Sequence, residues 1–144
     1  MAIVETKPKT GYENNIGERY ANVLGGQLNN AKGFASSITG GIQNKTTGNY
    51  SSITGGVRNR ATGQNANATG GVENIASGHA ASVNGGIGNE SSGFNAAISG
   101  GYHNIASAPE SVVSGGRENV ASAVGSTVSG GRELAADTDF SHLP

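Results

Sequence analysis

The 144-residue sequence has no cysteine, no tryptophan, three prolines and few aromatic residues, namely four tyrosines and three phenylalanines. Without cysteine, disulfides and thiolate metal sites are excluded. Only 34% of the residues are hydrophobic and 25 are glycine, so the large apolar side chains of a conventional globular core are scarce. The sequence therefore predicts a fold that is held together by something other than a thick hydrophobic core.

An excess of one charge and a long apolar run are also missing. The formal net charge is −1, with acidic and basic residues scattered along the chain, so nucleic acid and anionic membranes are not expected partners. No stretch approaches the roughly 20 apolar residues of a membrane span. The apolar run at the start is too short for a signal peptide. We expect a soluble protein that is made in the cytoplasm and does not insert into membranes.

What the sequence has in abundance is a 15-residue repeat marked by pairs of glycines. The pairs recur from Gly25-Gly26 to Gly130-Gly131 without insertion or deletion. A glycine pair suits a bend that needs positive φ or a close approach of two backbones, whereas a helix would lose about 1 kcal/mol at each glycine relative to alanine. The turn glycines include Gly40, Gly41, Gly55, Gly56, Gly70, Gly71, Gly85, Gly86, Gly100 and Gly101.

Aligned repeats give columns of constant chemistry, and one column is apolar in every repeat. Two residues before it, on the same face of an extended segment, only alanine and serine occur. A third column, from Ala31 to Ala136, is small throughout. The apolar column, which we predict to form an inward ladder, contains Val23, Ile38, Ile53, Ala68, Val83, Ile98, Val113 and Val128.

Together the columns predict two short strands in each repeat, stacked on the next repeat. The fold class is therefore all-β: a parallel β-solenoid or β-roll of about eight 15-residue coils. At about 4.8 Å per coil, the rod would be on the order of 40 Å long. The repeat occupies residues 16–136, with an N-terminal docking arm at residues 1–15 and a C-terminal cap or tail at residues 137–144.

A column of asparagines is the feature for which a structural and a ligand-binding role compete most closely. Stacked amides could line a polar seam for waters or an ion. Asparagine also tolerates left-handed backbone and bonds its own turn, which favours the structural role. We therefore assign no cofactor to the ladder. Its members are Asn29, Asn44, Asn59, Asn74, Asn89, Asn104 and Asn119.

The titratable residues do not form a catalytic pattern. His79, His103 and His142 fall in different columns, with no spacing that would gather them around a metal or pair one with a nucleophile. One column mixes carboxylates with cations, as expected of a solvated face and not of a general acid and base held at a fixed distance: Arg58, Glu73, His103, Glu118 and Glu133. We expect no enzymatic activity, no catalytic residue and no metal site.

One chain has a thin core, which favours an oligomer. Each repeat offers one Ile or Val, worth roughly 1.5–3 kcal/mol when buried. The ordering cost is on the order of 1.5 kcal/mol for each residue. Burial of apolar side chains against other copies of the chain would add to the free energy that stabilises the fold. A further apolar column supplies the candidate subunit interface: Ile42, Val57, Val72, Ile87 and Tyr102.

The repeat resembles a known family. The row that contains Gly48, Ser51, Ile53 and the Gly55-Gly56 pair is similar to the head repeat of trimeric autotransporter adhesins, the YadA-like head, and to repeats of bacteriophage fibres and other virion proteins. The resemblance covers residues 11 to about 137 and implies a left-handed β-roll wound as a homotrimer. The row has fifteen residues where the family usually has fourteen, the extra one being the second glycine.

The adhesins also carry a signal peptide, a coiled-coil stalk and a membrane anchor, which this sequence does not show. We therefore expect a non-enzymatic structural protein of a bacteriophage virion, made in the host cytoplasm. It would be a trimeric capsid decoration (cement) protein or short fibre, whose N-terminal arm docks on the major capsid protein or another virion protein. The candidate docking residues are Ile3, Val4, Lys7, Lys9 and Tyr12.

Two alternatives remain open. An adhesin-type head module at the bacterial cell surface would share the fold. An ice-binding solenoid is a lesser alternative, because Ser37 and Thr39, like Ser52 and Thr54 one repeat later, place hydroxyls side by side on an outward face. In later repeats this hydroxyl array is interrupted by asparagine and alanine.

Overall fold

The computed structural model describes residues 11–144, which form a parallel β-solenoid. Its strands are two residues long and make two parallel sheets of nine strands each. The first sheet contains β1 (Asn15–Ile16), β3 (Asn30–Ala31), β5 (Lys45–Thr46), β7 (Arg60–Ala61), β9 (Ile75–Ala76), β11 (Glu90–Ser91), β13 (Ile105–Ala106), β15 (Val120–Ala121) and β17 (Ala135–Ala136). The second contains β2 (Asn22–Val23), β4 (Ser37–Ile38), β6 (Ser52–Ile53), β8 (Asn67–Ala68), β10 (Ser82–Val83), β12 (Ala97–Ile98), β14 (Val112–Val113), β16 (Thr127–Val128) and β18 (His142–Leu143).

Each coil stacks on the next with a constant shift of fifteen residues. Ser37 of β4 pairs with Ser52 of β6, and every other strand pair keeps the same register. A third line of single-residue bridges runs along the rod from Tyr12 to Arg132. The all-β parallel solenoid predicted from the repeat is confirmed, and it has about nine coils. Each coil is hydrogen-bonded to its neighbour at three places.

The regular coil extends beyond residues 16–136 at both ends. The backbone N–H of Tyr12 donates to the Gly26 carbonyl oxygen at 2.9 Å, so the first coil begins inside the segment that the sequence assigned to the arm. At the other end, β18 pairs with β16 inside the segment that was expected to leave the repeat as a cap. Ile3, Val4, Lys7 and Lys9 lie outside the described residues.

The core is a narrow layer between the two sheets. Every member of the inward ladder from Val23 to Val128 is at most 1% exposed. The alanine and serine column beside it is also buried, so the two sheets can approach each other closely. Inward hydroxyls in the middle of the rod bond within the chain; for example, Thr46 Oγ1 donates to Ser36 Oγ at 3.0 Å. Within residues 11–144 there is no helix that could span a membrane.

Candidate subunit interface

The asparagine column forms a fully bonded ladder at one inner corner of the coil. The Asn74 side chain is buried, and its Oδ1 accepts the backbone N–H of Asn89 in the next coil at 3.0 Å. Its Nδ2 donates to the Gly70 carbonyl oxygen of its own coil at 2.9 Å and to the Gly86 carbonyl oxygen of the next coil at 3.0 Å. One side chain therefore ties two coils together through three hydrogen bonds.

The same set of bonds repeats along the rod. The ladder ends where the sequence changes to leucine: the backbone N–H of Leu134 donates to Asn119 Oδ1 at 3.0 Å. From Asn29 to Asn119, both amide hydrogens and the carbonyl oxygen of each side chain bond to the chain's own backbone. The ladder therefore leaves no amide hydrogen to hold a ligand, and its geometry is that of a structural element.

The second glycine of each pair is required by this corner. Gly71 has a φ of 81°, in the left-handed region that favours glycine. A Cβ added to it would lie 2.2 Å from the Gly86 carbonyl oxygen and 2.5 Å from Asn74 Nδ2. Both the backbone conformation and the close approach of the next coil therefore exclude a side chain here.

The first glycine of each pair has the opposite environment. A Cβ added to Gly70 would meet no atom within 4 Å, and the φ of Gly70 is not in the left-handed region. Glycine in an extended segment costs roughly 0.5–1 kcal/mol relative to alanine. Nothing within the chain explains why this glycine recurs. The same open space surrounds Gly40, Gly55, Gly85, Gly100, Gly115 and Gly130.

The predicted interface column lies next to this glycine stripe, along the third line of bridges. Ile42, for example, donates its backbone N–H to the Gly56 carbonyl oxygen at 2.9 Å while its side chain points outward. Ile42, Ile87 and Tyr102 are exposed, and Val57 and Val72 are half-buried. The structure thus brings all five predicted residues into one line. We call this column and the glycine stripe together the outer strip.

The face of the second sheet continues the outer strip as an uncharged surface, of which the sequence predicted only the outward hydroxyls of two repeats. Its two outward columns carry small hydroxyl, amide or apolar side chains and no charge. The signal was available in the aligned repeats, as two columns without a charged residue. The outward residues are Ser37, Thr39, Ser52, Thr54, Asn67, Thr69, Ser82, Asn84, Ala97, Ser99, Val112, Ser114, Thr127 and Ser129.

Most of the charged residues near the outer strip lie on the next corner and on the first sheet, but Arg117 and Arg132 continue the strip's own line of bridges after Tyr102. On that corner Arg58 is ion-paired with Glu73 of the following coil. Arg117 Nε lies 3.2 Å from Glu118 Oε1, and both side chains are exposed. Exposed pairs of this kind contribute about 0–1 kcal/mol each. The apolar part of the outer strip is thus bordered by charge along this corner and at the end where Arg117 follows Tyr102.

The remaining predicted residues do not gather into a chemical site. Tyr12 is exposed and bridges to Gln27 at the first coil. His79 stacks on Phe94 with ring centroids 5.0 Å apart, while His142 Nε2 lies 3.3 Å from Ser129 Oγ. Across residues 11–144, no three His, Cys, Asp or Glu side chains come together to hold a metal ion.

No protein-family model matches the chain, and a search of curated proteins finds no significant match. The likeness to adhesin heads and phage fibres is therefore a resemblance of the repeat alone. The function has to be inferred from the surfaces of the solenoid.

Proposed function

We propose that this chain is a non-enzymatic structural rod that assembles as a homotrimer through the outer strip. The observation that carries the proposal is the first glycine of each pair. It recurs beside an exposed apolar column although the chain itself leaves room for a side chain there. A neighbouring subunit packed against the stripe would occupy that room and bury the apolar side chains.

The size of the surface fits this assembly. The glycine stripe and the adjoining uncharged face are about five residues wide, or roughly 16 Å, and about 40 Å long, and the apolar column adds a line about 20 Å long. Specific interfaces bury about 800 Å² on each partner. The uncharged surface therefore supplies an area of that order from a chain whose total accessible surface is 7114 Å².

The assembly that we favour is a bacteriophage particle, in which the trimer is a capsid decoration (cement) protein or a short fibre. What supports this role is a rod in which backbone and asparagine ladders lock every coil to the next, together with the resemblance of the repeat to virion proteins. The resemblance also implies left-handed coils. The residues before the first coil would bind the major capsid protein or another virion protein. An adhesin-type head at a bacterial cell surface is the alternative.

Light scattering on the purified protein tests the oligomer. We expect three times the chain mass of 14.3 kDa. Ile87→Lys, in the outer strip, should give a folded monomer because it places a charge in the interface. Ile105→Lys is the matched control, since Ile105 is similarly exposed, 37% against 46%, but lies on the first sheet opposite Glu90. A monomeric wild-type protein, or equal dissociation of both variants, contradicts the proposal.

Incorporation into particles tests the virion role. Deleting residues 2–10 should leave the trimer mass and the melting temperature nearly unchanged, because the first described coil begins after them. The truncated protein should no longer be recovered with purified particles. Normal recovery would contradict docking through the N-terminus. Binding of the full-length protein to host cells but not to particles would favour the adhesin-type alternative.

A further inference from the structure

The outward face of the first sheet concentrates positive charge in three consecutive coils. Lys45 of β5 and Arg60 of β7 are register partners, so their side chains start about 4.8 Å apart on the same face. Lys32, two residues after the start of β3, lies on that face one coil earlier and is exposed. Like charges directly opposite each other destabilise a sheet. This pair of like charges therefore lowers the stability of the fold, so folding does not explain why both cations are present.

No carboxylate of this face offsets the charge. The outward positions of the first sheet from Asn15 to Ser77 contain no Asp or Glu, and the next acidic residue on the face is Glu90. In the described part of the chain, none of the ion pairs involves the three cations. Glu73, on the adjoining corner, is bound to Arg58. The three cations are thus available to an external anion.

An aromatic cluster borders the cations on the opposite corner. Phe34, two residues after Lys32, packs edge-to-face against Tyr20 at 5.5 Å and against Tyr50 at 5.6 Å between ring centroids. Both tyrosines are exposed. The outward residues Thr47 and Thr62 lie between the cations and the rings. The surface therefore combines cations, hydroxyl groups and exposed aromatic rings. We call it the basic–aromatic surface.

We propose that the basic–aromatic surface binds a sulfated polysaccharide. Sulfate esters match the cations, because guanidinium and ammonium groups form charge-assisted hydrogen bonds to anionic oxygens. The threonine hydroxyls match sugar hydroxyls, and the exposed rings of Tyr20 and Tyr50 match the apolar C–H faces of sugar rings.

A nucleic acid fits this surface less well. Affinity for a nucleic acid rises with the number of phosphates that the protein neutralises, and this surface of a chain of net charge −1 offers only three cations for that purpose. The proposal is independent of the trimer, since it uses the first sheet and not the outer strip.

Calorimetric titration of the full-length protein with heparin at about 0.15 M salt tests the proposal, at an ionic strength that screens long-range attraction. We expect binding by the wild type and a loss of about tenfold or more in affinity for Lys45→Gln/Arg60→Gln, because two charge-assisted contacts disappear. The matched control is Arg117→Gln/Arg132→Gln, which removes the same charge elsewhere and should bind like the wild type. The Lys45→Gln/Arg60→Gln protein should melt no lower than the wild type, since a like-charge pair is relieved.

Two further titrations test whether the surface is specific for a sulfated polysaccharide. Chemically desulfated heparin should not bind, and single-stranded DNA at equal charge concentration should not displace heparin. The proposal is overturned if the wild type does not bind heparin, if both double variants lose affinity equally, or if desulfated heparin still binds. Efficient displacement by DNA would reassign the surface to nucleic acid.

Discussion

The inner corner of the coil and the outer strip both use glycine, but for opposite reasons. At the corner, Gly71 faces the next coil so closely that an added Cβ would overlap its backbone. One residue earlier, on the strip, Gly70 faces open space. Contacts within the chain thus require glycine at the second position of each pair, whereas nothing within the chain requires it at the first. Identical repetition in a sequence can therefore record two different constraints, one from the fold and one that we propose comes from a neighbouring subunit.

The largest effect is expected from a charge placed inside the coil. Ile53 is buried in the inward ladder, and nothing around it can pair with a carboxylate. Ile53→Asp should therefore lower the free energy of unfolding by several kcal/mol, in the range of about 2–7 kcal/mol for an uncompensated polar group. Chemical denaturation measures it, with Ser77→Asp, on the exposed face of the first sheet, as the control. Melting of Ile53→Asp at the wild-type temperature would show that this column is not the core.

Gly71→Ala should have the next largest effect. The left-handed backbone costs a non-glycine residue about 1–2 kcal/mol, and overpacking adds about 1–3 kcal/mol. The variant should unfold at a clearly lower denaturant concentration than the wild type. A wild-type midpoint would mean that the corner can open without cost, contrary to the approach of the Gly86 carbonyl oxygen.

Asn59→Ala removes the side-chain hydrogen bonds that hold the same corner together. The substitution leaves the buried backbone N–H of Asn74 without its acceptor and removes two donors, to the Gly55 and Gly71 carbonyl oxygens. Unsatisfied buried groups cost about 1–3 kcal/mol each, so we expect a loss of about 2–4 kcal/mol. Asn84→Ala, on the exposed face, should be nearly neutral. A stoichiometric ion that is lost in Asn59→Ala would instead show that the ladder is a binding site.

Gly70→Ala should have the smallest effect on folding and a distinct effect on assembly. Because the added methyl group enters open space, the stability of the single chain should be unchanged or raised by up to about 1 kcal/mol through the unfolded state. The same methyl group should weaken the trimer, which light scattering over a dilution series would detect. A trimer of undiminished affinity would show that no subunit packs closely on this stripe.

The sequence alone was sufficient for the solenoid because its fifteen-residue period is unbroken and its inward column never becomes polar. The last coil was missed, although Ser141 and Leu143 continue the inward columns, because the glycine and asparagine that mark the repeat are absent there. The third line of bridges was also missed. Its positions, from Tyr12 to Arg132, vary from aromatic to cationic, and only backbone bonding unites them.

The surfaces were harder to predict than the fold. Lys45 and Arg60 look scattered along the chain, and only the register places them side by side. The asparagine column was visible, but its three bonds per side chain depend on how closely two coils approach. The apolar column could be predicted from the repeats. The open space around the neighbouring glycine stripe could not, because it depends on how the coils pack.

The constant register also has a consequence for how the chain folds. Every strand pair joins residues fifteen positions apart in a chain of 144, a relative separation of about 0.1, which is typical of helical proteins and low for an all-β protein. Each new coil needs only the coil before it as a template, so folding can start at any coil and spread in both directions. We therefore expect a chain shortened by one terminal coil to fold at nearly the same rate and to lose only the stability of that coil.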